Sequence, residues 1–182
     1  NEVVESQSPG LMGNILGLSE TKLRNIILEN NMKNSVDISN YNAPGNYTIA
    51  GEYDDIKKLI SVSLKSGAMK SELMTTTGAW HSHKMKPAAK KISVLLENYT
   101  FGDMEYPVIE HVYGKNLVNK RSVIIDNLSR QVYYPVKWVD TVKKLIEMGA
   151  NTFLELSDFD MLTKMGLFIS RKQKFLNISN YL

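Results

Sequence analysis

The 182-residue sequence contains no cysteine. A chain without thiols forms no disulfide bond and holds no thiolate-bound metal, which excludes disulfide-rich and zinc-finger classes and favours a reducing, cytoplasmic location. The sequence also has no apolar run near the roughly 20 residues that span a bilayer. Residues 1–10 lack the charged-then-apolar order of a secretory signal. We therefore expect no membrane insertion.

A strong excess of one charge is missing as well, because the formal net charge is only +3. This charge is too small to require a nucleic-acid partner. The lysines and arginines do gather in three stretches, residues 84–91, 137–144 and 171–174. Each stretch is either a solvated helix face or part of a docking surface for an acidic partner.

Residues 10–77 carry the pattern strand, helix, strand, strand, helix, strand. Ser19 is a candidate N-cap for the first helix, Pro44-Gly45 is turn chemistry between the central strands, and Gly67 suits a left-handed cap after the second helix. The order β-α-β-β-α-β is that of a ferredoxin-like unit, which can bury its own core. We predict a small ferredoxin-like subdomain here.

Residues 78–182 favour helices over strands. Pro87 opens a helix whose apolar positions are Ile92, Leu95, Leu96 and Tyr99. A strand is predicted over residues 106–113, followed by two helices and a buried strand over residues 152–156. Two strands make a poor sheet alone, so this part is expected to complete a larger sheet whose other strands lie outside the chain.

The segment most informative about chemistry is residues 78–88, Gly-Ala-Trp-His-Ser-His-Lys-Met-Lys-Pro-Ala. It places His81 after small residues and just before a helix. Small residues let a substrate approach the backbone. A histidine with a pKa near about 6.5 exchanges protons near neutrality, which suits a general base.

This segment resembles the Gly-Ala-Phe-His-Ser-x-x-Met-x-Pro-Ala signature of malonyl-CoA:acyl-carrier-protein transacylases, with Trp80 in place of Phe. Three further stretches resemble the same family in order and spacing. They are residues 40–51, Asn-Tyr-Asn-Ala-Pro-Gly-Asn…Ile-Ala-Gly; residues 130–138, Arg-Gln-Val-Tyr-Tyr-Pro-Val-Lys-Trp; and residues 153–156 with 162–163, Phe-Leu-Glu-Leu and Leu-Thr.

The resemblance implies an α/β enzyme with a hydrolase-like large subdomain, here residues 78–182, beside the ferredoxin-like small one. It implies malonyl transfer from coenzyme A to the pantetheine thiol of an acyl carrier protein through an acyl-serine, in fatty-acid or polyketide synthesis.

The resemblance also implies roles for individual residues. His81 would be the base, and the Gln131 carbonyl would accept the other N–H of its ring. Trp80 would wall the acyl pocket, and Asn40 and Asn42 would contact pantetheine. Malonyl-CoA would be a substrate, and neither a cofactor nor a metal is implied.

The sequence departs from the family where the nucleophile is concerned. It contains no Gly-x-Ser-x-Gly segment and no Gly-Gln-Gly loop, and the family's malonate-binding arginine would fall before Asn1. Residues 157–160, Ser-Asp-Phe-Asp, replace the usual Gly-Pro-Gly. We expect the chain alone to be inactive. It could be a truncated product, a proteolysed product, or half of a split enzyme whose serine lies on an N-terminal chain.

Three alternatives stay open at this point. A transacylase part without its serine could serve as a non-catalytic module that docks carrier proteins. His81, His83 and His111 could ligate a metal as a His-x-His pair with a third histidine. A ferredoxin-like unit could also bind RNA, although Tyr47 is the only aromatic residue of its strand and the usual aromatic motif is absent.

Overall fold

A four-stranded sheet and two helices occupy the first part of the chain. The computed structural model describes residues 10–76 and 78–181, so residue 77, the predicted end of this unit, lies outside it. The elements are β1 (Leu11–Leu16), α1 (Glu20–Glu29), β2 (Val36–Ala43), β3 (Asn46–Gly51), α2 (Tyr53–Lys65) and β4 (Lys70–Leu73). The predicted order of elements is confirmed.

The sheet order is β2-β3-β1-β4, and every neighbouring pair of strands is antiparallel. The two helices lie against the sheet and shield a continuous apolar cluster between them. Its most buried side chains are Ile15, Leu23, Met32, Ile49, Ile56 and Leu59. Burying a side chain of this size stabilises the fold by about 1.5–3 kcal/mol, so this cluster contributes strongly to the stability of the first part.

The predicted caps and turn are present. Ser19 accepts a hydrogen bond from the Lys22 amide at 3.2 Å, which satisfies a free donor at the start of α1. Pro44 and Gly45 connect β2 to β3, and Gly45 has the positive φ, +76°, that a turn with proline before glycine requires. Gly67 follows α2 with φ +94°, as a left-handed cap does.

The second part of the chain is more open and its strands are shorter. Its helices are α3 (Lys86–Leu96), α4 (Arg121–Arg130), α5 (Trp138–Glu147) and α6 (Met161–Ile169), with short 3-10 helices at His83–Met85 and Ile178–Asn180. Its strands are β5 (Ile109–Glu110), β6 (Lys115–Asn116), β7 (Thr152–Glu155) and β8 (Lys174–Asn177). β5 and β6 pair antiparallel, while β7 and β8 pair parallel.

The prediction of a strand over residues 106–113 is wrong, because the observed strand is much shorter. Only Ile109 and Glu110 are extended and paired. The Glu110 carboxylate accepts the backbone N–H groups of Tyr113, at 2.9 Å, and Lys115, at 3.2 Å. This contact curls the chain into a turn at the point where the prediction continued the strand.

Burial departs from the apolar patterns at two places, and the predicted burial of residues 152–156 is wrong. In α3 the buried side chains are Ala88 and Ala89, whereas Leu95 and the downstream Tyr99 are each 56% exposed. β7 forms as predicted but is not buried, since Leu154 is 49% exposed. A sheet of only two strands, covered on few sides, leaves such apolar side chains in contact with solvent.

α6 and β8 were not predicted. Together with β7 they form a βαβ unit in which the rings of Phe153 and Phe175 stack with centroids 4.8 Å apart. Gly166 in α6 lies directly against Phe175, because a Cβ at that glycine would be 2.1 Å from the ring. A glycine is therefore what allows α6 to approach β8 this closely.

The edge strand β2 joins the two parts. The Val136 amide donates to the Ser39 carbonyl at 2.8 Å, and the Tyr41 amide donates to the Val136 carbonyl at 2.9 Å. The pairing of β2 with β3 shifts register between Ile38 and Asn40, so the strand is bulged at this point. Along the described ranges, none of the helices has the length and apolarity that crossing a bilayer requires.

Candidate functional site

His81 lies in the turn that leads from the first part of the chain into α3. Its backbone is in the left-handed region, with φ +57°, which is uncommon for a residue other than glycine. The His81 amide donates to the Val132 carbonyl at 2.9 Å. The buried Ser82 hydroxyl donates to the Ala79 carbonyl at 2.6 Å, which closes the turn.

The His81 ring is held by two carbonyls from the segment after α4. Its Nδ1 atom lies 2.7 Å from the Gln131 oxygen, 50 positions along the chain, and 3.2 Å from the Tyr134 oxygen. A carbonyl only accepts hydrogen bonds, so Nδ1 carries the proton and donates. The neutral ring therefore keeps Nε2 as a free lone pair, the form that a general base requires. The predicted contact between His81 and the Gln131 carbonyl is confirmed.

The surroundings also set the protonation state of His81. Burial lowers the pKa of His81 below its ordinary value, while the hydrogen bonds to the Gln131 and Tyr134 carbonyls offset part of that shift. The ring is consequently neutral at pH 7 and able to accept a proton.

A second histidine packs on the first. The ring of His111 meets that of His81 edge-to-face, with centroids 5.8 Å apart and planes at 84°. Burial lowers the pKa of His111, and the charge on a protonated His81 lowers it further. His111 follows Glu110, whose buried carboxylate also accepts from the Asn127 side chain at 2.8 Å. The two rings thus form an imidazole pair that disfavours protonation.

The metal-site alternative does not fit this arrangement. The His83 Nδ1 lies 2.7 Å from the Asp37 carboxylate and the His81 Nδ1 lies 2.7 Å from the Gln131 carbonyl, so the two rings have separate partners. No cluster of three or more histidine, aspartate or glutamate side chains able to hold a metal ion occurs among residues 10–76 and 78–181. The RNA-binding alternative fails too, since Tyr47 is only 7% exposed and packs in the core.

Trp80 lies next to His81 and is half-buried. It packs against a cluster of Met12, Ala50 and Ala79 on one side and against the cluster of Met85 and Ala88 on the other. The indole therefore fills the junction between the sheet and the start of α3.

Asn40 and Asn42 both lie on β2, on the wall of a cavity of about 400 Å³. The Asn42 amide donates to the Thr48 hydroxyl at 3.0 Å, and the Asn40 oxygen accepts from the Ser39 hydroxyl at 2.9 Å. Apolar side chains, including Trp138 of α5, also line the cavity, so it combines amide groups with hydrophobic surface. His81 is not among the residues that line it.

Sequence reasoning missed three residues around His81. Tyr134 supplies the second carbonyl, and it stands three positions after Gln131 within a motif already noted. His111 was considered only as a metal ligand. Asp37 carried no signal, because an acidic residue in a strand pattern gives no indication of a partner 46 positions away.

Comparison with known proteins gives a consistent result. The chain is 28% identical over 183 residues to the malonyl CoA-acyl carrier protein transacylase of Bacillus subtilis, covering 99% of the chain. It is 29% identical over 163 residues to PksC, a polyketide biosynthesis malonyl CoA-acyl carrier protein transacylase of the same organism. No protein-family profile matches the chain.

A solved structure of a malonyl-transacylase with its type II polyketide acyl-carrier protein superposes with a TM-score of 0.88. It is 28% identical and covers 97% of the chain. The chain is therefore similar to malonyl transacylases in sequence and in its α/β fold over nearly all its length, which confirms the predicted resemblance. The chain spans 56% of the length of each Bacillus relative.

Proposed function

We propose that this chain supplies the base and part of the substrate channel of a malonyl-CoA:acyl-carrier-protein transacylase. The observation that carries the proposal is the His81 ring, oriented by the Gln131 carbonyl at 2.7 Å inside a Gly-Ala-Trp-His-Ser segment. The partners are a coenzyme A thioester and an acyl carrier protein, and the pathway is fatty-acid or polyketide synthesis. The reaction requires no cofactor.

The nucleophile is a serine hydroxyl that the 182 residues do not supply in a Gly-x-Ser-x-Gly segment. It comes from the portion of the relatives that the chain does not span. The serine oxygen attacks the thioester carbonyl while its proton passes to the His81 Nε2. The tetrahedral intermediate then collapses, and the coenzyme A thiol leaves with that proton.

In the second half-reaction the His81 Nε2 again accepts a proton and then returns it. The pantetheine thiol of the carrier protein loses its proton to His81 and attacks the acyl-serine. The bond to the serine oxygen then breaks, and His81 returns the proton to that oxygen. The lowered pKa of His81 keeps the ring neutral at the start of each half-reaction.

The substrate contacts follow from the cavity on β2. Asn40 and Asn42 offer amide groups in a cavity that apolar side chains also line, and a pantetheine arm likewise combines amides with methylene groups. Trp80 is proposed to narrow the acyl pocket beside His81, so malonyl groups are preferred to α-branched ones. Comparable turnover of methylmalonyl-CoA and malonyl-CoA by a reassembled enzyme would reject this role of Trp80.

The subdomain division is part of the proposal. The sheet order β2-β3-β1-β4 supports a ferredoxin-like small subdomain over residues 10–77. The exposed apolar side chains of α3 and β7 support assigning residues 78–182 to part of a hydrolase-like large subdomain. A cytoplasmic location stays a prediction.

The alternative, a carrier-docking module without catalysis, rests on α3. Its lysines Lys86, Lys90 and Lys91 are exposed together around an open groove, as an acidic partner requires. The two functions differ when the missing serine is provided: a catalytic chain should then transfer malonyl groups, whereas a docking module should only bind the carrier protein.

The test combines the chain with the serine-bearing segment of the Bacillus subtilis relative and follows radiolabelled malonyl transfer to carrier protein. The chain alone should give background counts, and the mixture should transfer. His81→Ala should abolish transfer by the mixture, about 10³-fold or more, whereas His83→Ala should keep most of it. Carrier binding without transfer would favour the docking module, and full activity of His81→Ala would overturn the assignment of the base.

A further inference from the structure

The backbone at His81 needs external support. A histidine with φ +57° persists only where its surroundings determine the conformation. Two contacts come from the segment after α4, through the amide of His81 and through its Nδ1 atom. These contacts fix the ring relative to Gln131 but do not hold the chain that follows His81.

Asp37 on β2 holds that following chain. Its Oδ2 atom accepts the backbone N–H of His83 at 2.8 Å and the His83 Nδ1 at 2.7 Å. The two residues are 46 positions apart, so the contact fastens the turn of His81 to the sheet. A carboxylate that accepts two hydrogen bonds in this way limits the rotation of the segment it binds.

The same strand also holds the acceptor of the His81 ring. Ser39 and Tyr41, two and four residues beyond Asp37, exchange backbone hydrogen bonds with Val136, at the end of the segment that carries Gln131. β2 is therefore the common support of both partners in the pair of His81 and Gln131. Loss of the Asp37 contact frees the turn that carries His81 from β2, while the segment that carries Gln131 stays bonded to β2.

We propose that Asp37 is a positioning residue for His81. It acts through the His83 amide and keeps the His81 ring in register with the Gln131 carbonyl, so that His81 stays in the Nδ1-protonated form. The catalytic consequence rests on the proposed transacylase function, but the effect on the ring does not. Asp37 touches neither substrate nor serine in this role.

The first test measures the ring in the 182-residue chain. The chain has three histidines, so ¹⁵N-histidine NMR reports each ring separately. The parent chain should show His81 in the Nδ1-protonated tautomer, and Asp37→Ala should give a mixture of tautomers. Asp37→Asn, which keeps an acceptor oxygen for the His83 amide, should lie nearer the parent. Asp54→Asn, an exposed acidic residue on α2, is the matched control.

The second test measures turnover in the mixture with the serine-bearing segment. Asp37→Ala should lower kcat by about 10- to 100-fold with KM within about twofold, because a misplaced base slows chemistry and leaves binding intact. His83→Ala should lower kcat by less than about threefold, because the backbone N–H to Asp37 remains.

The outcomes separate the two proposals. A mixed tautomer in Asp37→Ala supports positioning even if no mixture transfers malonyl groups, a result that would count against the proposed function alone. An unchanged His81 tautomer in a folded Asp37→Ala chain overturns the proposal. If Asp37→Ala does not fold by circular dichroism, Asp37→Ser decides, because its shorter side chain loses the contact with the His83 amide. A parent-like His81 tautomer in a folded Asp37→Ser chain overturns the proposal.

Discussion

The two parts of the molecule, residues 10–76 and residues 78–181, differ in how they bury apolar surface. The first has one continuous cluster in which Ile15, Ile49 and Leu59 are fully buried. The second has small clusters, and large side chains such as Leu156 and Phe159 are about three-quarters exposed, at 76% and 75%. A chain similar to malonyl transacylases over 56% of their length thus contains one self-sufficient core and one incomplete core.

The comparison shows that the periodicity of a sequence predicts whether a helix or strand forms but does not predict whether its apolar side chains are buried. Apart from the strand predicted over residues 106–113, which is reduced to residues 109–110, helices and strands formed in both parts where periodicity predicted them. Burial followed only where a facing element was present. Isolated apolar faces of more than a few hundred Å² are uncommon on monomers and mark interaction surfaces. We therefore expect the second part to depend on contacts that the first does not need.

The largest expected effect comes from separating the parts. Residues 10–76 expressed alone should fold cooperatively, because their main apolar cluster, around Ile15, Ile49 and Leu59, uses no side chain from beyond residue 76. Residues 78–181 alone should lack fixed tertiary structure. Amide NMR dispersion and a urea transition measure this. A sharp two-state transition for the second fragment alone would contradict the comparison.

Truncating one leucine in each part sharpens the comparison. Leu59→Ala should lower the free energy of unfolding by about 2–5 kcal/mol, because the side chain is fully buried. Leu154→Ala should change it by about 0.5 kcal/mol or less, because Leu154 is 49% exposed. Equal losses in urea denaturation would show that Leu154 is covered in solution.

A tight contact in the second part gives an intermediate effect. Gly166→Ala should destabilise the chain by about 1–3 kcal/mol, because the added Cβ would overlap the Phe175 ring. The control is Gly102→Ala, since a Cβ there meets nothing within 4 Å. Near-ultraviolet circular dichroism should report the disturbed stacking of Phe175 on Phe153, and an unchanged melting curve would argue against that packing.

The smallest expected effect is on the pH dependence of stability, through the histidines at the junction of the two parts. The folded-state pKa values of His81 and His111 lie below their unfolded value of about 6.5, so the unfolded chain binds protons more readily. Their contribution to stability is complete above about pH 6.5 and is lost as the pH falls through the folded-state values. His81→Gln should flatten the dependence of the urea midpoint between about pH 7 and pH 5. A parallel curve would mean that His81 does not titrate in this range.

The sequence predicted the first part well because its signals are local. Ser19, Gly45 and Gly67 act on their own neighbours, and the strand and helix patterns between them have distinct periods. The second part was predicted less well because exposure of Leu95 or Leu154 depends on what lies opposite, which no local pattern encodes. The ring contact of His81 with Gln131 was predicted from a family resemblance and not from spacing.

The location of His81 has a consequence for the order of events in folding. Its contacts with Gln131 and, through the next turn, with Asp37 close loops of 50 and 46 positions. Contacts so distant along the chain form after local ones, because their loop-closure entropy is lost before any contact compensates for it. The imidazole should therefore reach its orientation after the β2–β3 hairpin, in which the most distant paired residues, Val36 and Gly51, are 15 positions apart. Native-state hydrogen exchange should show the His81 and His83 amides opening before those of β3.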